Sequence, residues 1–193
     1  PCDAGYTPST VADEDLITSF VYDGLGNRIA VIDPLNKVTR TFYDELNRPV
    51  AIVDNLTGQV ITASSVPGWS ASAPDENIRA FTRYDRLGRA DETEANDGLV
   101  TRTGYDGVGR AVSEIVHYVA GGPTDAETNL TTLTGYDRAG NPVSRTDAEG
   151  AVTRFDYDDL DRLTGVWENY DPPITDQPNE VNVHTVYTYD AHG

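Results

Sequence analysis

The chain of 193 residues carries 32 acidic against 14 basic side chains, for a net charge of −18, and Lys37 is its single lysine. Such a surface repels phosphate backbones and anionic membranes, which argues against nucleic acid as a partner. No apolar run approaches the roughly 20 residues of a membrane-spanning helix, and a lone cysteine, Cys2, cannot close an internal disulfide.

Residues 1–19 read as a linker or an incomplete first repeat, with neither an initiator Met nor a basic-then-apolar leader, as in a mature or excised chain. Thr18–Val21 alternates as a strand and runs into Tyr22-Asp23, with Gly26 four residues after the tyrosine. Ile29 and Val31 mark a return strand, Asn36 a second turn, and Val38-Thr39-Arg40 a third strand ending in Tyr43-Asp44, with Asn47 in the glycine's place. Val50 and Ile52 are expected on the core face of the next strand, and Gly58 to Asn77, with Trp69 inside it, reads as a long loop. The cycle restarts with Phe81–Arg83, Tyr84-Asp85 and Gly88, then Gly98, Val100-Thr101-Arg102, Tyr105-Asp106 and Gly109, before a loop from Ala120 to Asn129. A third cycle has Tyr136-Asp137, Gly140, Gly150, Val152-Thr153-Arg154, Tyr157-Asp158 and Asp161, then a loop from Asn169 to Asn182. A last strand, Thr185–Thr188, enters Tyr189-Asp190, and Gly193 takes the glycine position.

Tight steps of 21 residues between Tyr-Asp pairs thus alternate with longer ones, so the module is a pair of units and the expanded loops leave on a common side. In each of these seven repeats the position four after the tyrosine is Gly, Asn or Asp, the residues that tolerate positive φ. An Asp at the turn entrance bonds the backbone two residues on, and a left-handed residue closes the turn, so each Tyr-Asp word reads as a hairpin tip. The apolar residue before the closing position (Leu25, Leu46, Leu87, Val108, Leu160) is expected to tuck against the next hairpin. The arginines after the turns (Arg48, Arg89, Arg110, Arg162) and in the Val-Thr-Arg elements predict inter-repeat Arg–Asp contacts or stacking on tyrosine rings. The fold class is therefore all-β: an array of stacked antiparallel hairpins over 20–193, with little or no helix. Both ends fall inside a repeat, which predicts a segment of a longer array or a subunit completed by its neighbours.

No nucleophile elbow, P-loop or zinc-peptidase motif occurs, and His117, His184 and His192 lack metal-ligand spacing. The chain reads as non-enzymatic, without metal or cofactor; Ca²⁺ in acidic turns such as Asp147–Gly150 is the one exception that the composition offers. Trp69, Tyr118 and Tyr170, in or beside the long loops, are the candidate contacts for surface glycans. Asn55 and Asn129 head N-x-T sequons and are candidate glycosylation sites.

The unit Y-D-x-x-G-R, flanked by G-x-x-T-x-x-x-Y-D, resembles the YD repeat of the Rhs family, found in bacterial Rhs polymorphic toxins, insecticidal toxin complexes and animal teneurins. The likeness covers about 20 to 193. It implies hairpins wound side by side into a strip, often coiled into a hollow shell that encloses a toxic C-terminal domain or serves adhesion. Shell-forming members have many more repeats than seven, and no payload domain is visible here. The expectation is a structural module of a secreted, extracellular and bacterial protein: a panel of shell wall or a surface scaffold or fibre. Its expected partners are neighbouring repeats or identical subunits, with an encapsulated toxin domain or surface glycans as further possibilities and no membrane insertion.

Overall fold

The computed structural model describes residues 16–171 and 182–190. Among them are thirteen strands and no helix: β1 Ser19–Tyr22, β2 Arg28–Ile32, β3 Val38–Tyr43, β4 Pro49–Asp54, β5 Ile78–Tyr84, β6 Ala90–Glu94, β7 Val100–Tyr105, β8 Ala111–Val116, β9 Leu130–Tyr136, β10 Pro142–Thr146, β11 Val152–Tyr157, β12 Leu163–Glu168 and β13 Val183–Val186. This is the expected all-β array of antiparallel hairpins. Cys2, His192 and Gly193 lie outside the described residues, as does most of the stretch 1–19.

The strands fall into two compact units, one holding the chain up to Arg83 with Thr93–Gly98, the other Tyr84–Glu92 and the chain from Leu99 on. In the first, β1 to β5 pair antiparallel in sequence order. In the second, β7, β8 and β9 do the same, followed by β10 to β13. Within each unit a meander of this kind puts the Tyr-Asp turns at one end of the strands and the short turns and long loops at the other.

Each Tyr-Asp turn is built by its aspartate. In the turn after β3, Asp44 N–H donates to Arg48 O, and Asn47 N–H to Asp44 O. Asp44 Oδ1 accepts from the N–H groups of Leu46 and Arg48. Gly26, Asn47, Gly88, Gly109, Gly140 and Asp161 all adopt φ between +58° and +103°, and the pairing slips by one residue at the tyrosine, as between Phe42 and Tyr43. That combination is a type I turn closed by a left-handed residue and a bulge. The short turns at Asn36 and Gly150 repeat the device with Asp33 and Asp147, whose Oδ1 atoms each accept two backbone N–H groups.

The long loops have a common base. Asn55, His117 and Asn169 open them and Asn77, Asn129 and Asn182 close them, all at positive φ. The closing asparagine donates its N–H to the opening residue's carbonyl, and its Oδ1 accepts from Thr57, Val119 or Asp171 N–H. A single asparagine thus satisfies both sides of a loop neck, whatever the loop's length.

Buried apolar side chains cluster in the first unit: Phe42, Ala51 and Val53, joined by Val50, Leu56, Val66 and Phe81. Phe42 faces Ala51 across the sheet, large against small, and Leu56 and Val66 come from the chain after β4. Burying a Phe-sized side chain is worth about 1.5–3 kcal/mol. Strands of the second unit stay half-exposed, so cross-strand pairs carry a larger share of its stability.

Two expectations need correction. In β4 the buried residues are Ala51 and Val53, set by the register opposite Phe42 and Arg40; Val50 packs half-buried against this core as expected, but Ile52 is exposed. Leu25, Leu46, Leu87, Val108 and Leu160 are 72–79% exposed rather than tucked against the next hairpin. Their turns are held by the aspartate's hydrogen bonds, and nothing packs over the turn's outer corner.

Candidate functional site

The repeats are joined by a ladder of side chains that starts from the same aspartate. Asp44, Asp85, Asp106 and Asp158 each present their second oxygen to the arginine four residues on, at 2.7–2.8 Å from Nε. These ion pairs lie within one turn, not between repeats as expected, because the strand return brings that arginine alongside its own aspartate. The inter-repeat step is made by the arginine's flat face. Arg89 covers the ring of Tyr105 at 4.5 Å, Arg110 that of Tyr136 at 4.8 Å and Arg162 that of Tyr189 at 4.6 Å. Arg89 and Arg110 also donate from Nη1 to the backbone oxygens of Asp106 and Asp137.

The tyrosine completes the step. Tyr105 OH donates to Ala90 O at 2.7 Å, Tyr136 OH to Ala111 O at 2.9 Å and Tyr189 OH to Leu163 O at 2.7 Å. Each tyrosine therefore bonds the residue next to the arginine that covers its ring, and aspartate, arginine and tyrosine act as one unit. A charged group that keeps all its hydrogen bonds while stacked on an aromatic face loses little by partial desolvation. Backbone N–H donation, above all from the arginine, with the guanidinium second or third, holds Asp44, Asp85, Asp106 and Asp158 below the ordinary carboxylate range.

Two steps are made differently. Asn27 and Asn141 replace arginine; each donates to its own turn aspartate and then to a side chain of the next turn, Asn47 Oδ1 at 3.0 Å and Asp161 Oδ1 at 2.7 Å. These acceptors are the two left-handed positions that are not glycine. Asparagine is too short to cover the next tyrosine, so the closing residue of the next turn supplies the bridge.

The Val-Thr-Arg arginines form a second set. Arg102 donates to Tyr118 Oη at 2.8 Å and Arg154 to Tyr170 Oη at 3.0 Å, with the rings 5.0 and 5.3 Å from the guanidinium carbons. Tyr118 and Tyr170 are thus half-buried covers for these arginines. Trp69 is half-buried and donates Nε1–H to Pro74 O inside its own loop. Each of the three candidate ligand contacts is engaged locally, Trp69 in its loop and the two tyrosines on their arginines. Asn129 is buried and its Nδ2 donates toward Val119, Gly122 and Pro123 carbonyls, geometry that a glycan on that nitrogen would break. Asn55 Nδ2 donates to Asp75 O. Among the described residues no three acidic, histidine or cysteine side chains converge as a metal site would require.

One aromatic cluster escaped the sequence reading. Trp167 and His184 are cross-strand partners whose rings stack at 3.6 Å and 6°. Trp167 Nε1–H donates to Asp156 Oδ2, and Tyr170 meets the indole edge-on at 6.3 Å. Gly165 makes room for it, since a Cβ there would lie 2.9 Å from His184 Nε2. The available signal was a tryptophan two residues after a glycine inside a strand pattern, where a missing side chain marks a close approach.

The comparisons with known proteins agree with this architecture. The family model RHS Repeat matches residues 22–60 and 136–166. No curated protein sequence matches the chain. Among solved structures, the chain is similar to the TcdB2-TccC3-Cdc42 crystal structure at TM-score 0.64 and 18% identity, over 93% of this chain and 9% of that one. The Photorhabdus luminescens Tc holotoxin pore, with a TccC3 mutation, matches at TM-score 0.59 and 17% identity, over 78% and 7%. TcdB2-TccC3 matches at 0.58 and 17%, over 91% and 9%. At such identities the likeness is one of fold, and this chain spans less than a tenth of the length of each of these chains.

Proposed function

We propose, from the premise that this chain carries RHS repeats, that it is a non-enzymatic panel of a β-hairpin wall. The observation that carries the reading is the Asp–Arg–Tyr ladder. Its polar and charged groups are engaged in closing the turns and joining one repeat to the next, which is the work of a scaffold. The likeness to the Tc structures supports a shell wall in a secreted bacterial protein, with a toxin domain of the same polypeptide as the enclosed partner. A surface fibre built from the same repeats is the competing form.

Negative-stain electron microscopy of the native protein from its source decides between them. Closed hollow particles are the expected result. Long thin filaments would overturn the shell reading and leave the scaffold.

A further inference from the structure

Arg40 departs from the other two Val-Thr-Arg arginines. Arg102 and Arg154 are exposed and donate to tyrosine hydroxyls, whereas Arg40 is 7% exposed and has no carboxylate within ion-pair distance. Nε donates to Ile61 O at 2.6 Å and Nη1 to Ile29 O at 2.8 Å and to Thr41 O, while Phe42 covers one face at 4.5 Å. Nη2 makes no hydrogen bond within the protein. The hydrogen-bond partners of Arg40 are all neutral carbonyls, with the charge of Asp23 acting on it from beyond ion-pair distance, so the buried guanidinium keeps an unmet donor that an anion can take.

Arg40 lines a cavity of about 500 Å³ in the first unit, together with Tyr22, Asp23, Ile29, Phe42, Thr62 and Ser64 among others. Small-ligand pockets commonly have volumes of about 300–1,000 Å³. Thr62 and Ser64 are exposed and Tyr22 is 58% exposed, and no protein group takes their hydroxyls. Ile29 and the tyrosine ring supply an apolar surface. The one acid in the lining is already engaged: Asp23 Oδ1 accepts from Leu25 and Asn27 N–H and Oδ2 from Asn27 Nδ2. These neutral donors keep Asp23 ionised, so its repulsion of an incoming anion is a cost that the bond to Arg40 has to offset. Charges elsewhere on the acidic surface are screened beyond about 8 Å at physiological salt.

We propose that this cavity is a binding site for an acidic sugar, with the carboxylate on Arg40 Nη2, the ring against Tyr22 and the sugar hydroxyls on Thr62 and Ser64. A carboxylate answers the unpaired donor, and a sugar ring answers the aromatic and hydroxyl-bearing walls, which a bare inorganic anion would leave unused. The site is independent of whether the repeats form a shell or a fibre.

Isothermal titration calorimetry of glucuronate and glucose into the native protein tests it. Glucuronate should bind at least tenfold more tightly than glucose, and inorganic phosphate should compete with it. Arg40→Leu should abolish binding. If that variant misfolds, Thr62→Val with Ser64→Ala, both exposed at the rim, should keep the native circular dichroism and weaken glucuronate at least threefold. Equal binding of the two sugars, phosphate binding without glucuronate binding, or a folded rim variant that binds like the wild type would each overturn the assignment.

Discussion

Arg110 lies 4.8 Å from the ring centroid of Tyr136 in the following repeat while its Nε bonds Asp106 in its own turn. The arginine is therefore shared between repeats, and its partners should be energetically coupled. Cation–π contact at a part-exposed site is worth about 0.5–1 kcal/mol. A double-mutant cycle of Arg110→Ala and Tyr136→Ala in urea denaturation should return a coupling energy of about that size. Additive single effects would show that the stacking contributes nothing. Tyr136→Phe alone should cost about 0.5–1.5 kcal/mol, the net worth of its hydroxyl's bond to Ala111.

The turn glycines separate backbone strain from crowding. Gly109 has φ of +94°, and a Cβ there would meet only Arg89 Nη1 at an ordinary 4.0 Å, so Gly109→Val should destabilise by at least ~1 kcal/mol, chiefly through strain. Gly107, two residues earlier in the same turn, has open space and no positive φ, and Gly107→Ala should be nearly silent. Gly121, in the loop from Ala120 to Asn129, also has positive φ, +72°, and a valine there should carry the same strain. Thermal melts in which the Gly109 and Gly107 variants behaved alike would contradict the assigned turn.

A third kind of glycine tests cross-strand fit. Gly104 faces Ser113, and a Cβ on Gly104 would lie 2.3 Å from the serine's Oγ. Gly104→Ala should lower the melting temperature, and Ser113→Ala in the same chain should restore it, since the remaining Cβ lies 3.7 Å away. Failure of the second change to rescue the first would place the cost in the backbone.

These contrasts mark what was legible in the sequence. The Tyr-Asp turns were readable because an aspartate, a left-handed closing residue and their hydrogen bonds all lie within five residues. Stacking of arginine on tyrosine was foreseen, but not that the aspartate partner sits in the arginine's own turn, since spacing does not say which way a long side chain folds. Leu87 and Val108 were misplaced because an apolar residue in a turn was taken as buried, when the turn holds itself together without it. Arg40 and Arg154 occupy the same word, Val-Thr-Arg, yet one is buried and the other exposed. The difference comes from the chain after β4, whose Ile61 carbonyl accepts from Arg40, and loop conformation is not encoded in the repeat. Trp167 and His184 pair across a loop, so only the three-dimensional register joins them.

Acid should loosen the ladder. A carboxyl whose folded value is lowered stabilises the protein fully above its unfolded value, near 3.9, and that contribution fades as pH falls through the folded value. The urea midpoint should therefore drop between pH 5 and pH 2.5. Asp106→Asn removes one such group and should flatten the slope, as its folded and unfolded forms no longer differ in proton uptake there. A pH slope unchanged by that substitution would mean that the turn aspartates do not control acid sensitivity.

Asp161 offers a test of the two kinds of ladder step. It combines a φ of +59° with a bond from Asn141 Nδ2. Asp161→Gly relieves the left-handed strain while losing the bond, two terms of opposite sign and each about 0.5–1 kcal/mol, so its net effect should stay within about 0.5 kcal/mol. Asp161→Ala keeps the strain and loses the bond, and should cost about 1 kcal/mol or more. Adding Asn141→Arg to Asp161→Gly rebuilds the arginine–glycine pairing found at Arg89 with Gly109 and at Arg110 with Gly140, with the ring of Tyr157 available for stacking. That double variant should unfold at higher urea than Asp161→Gly alone. If it does not, the asparagine steps are fixed by more than the two residues that form them.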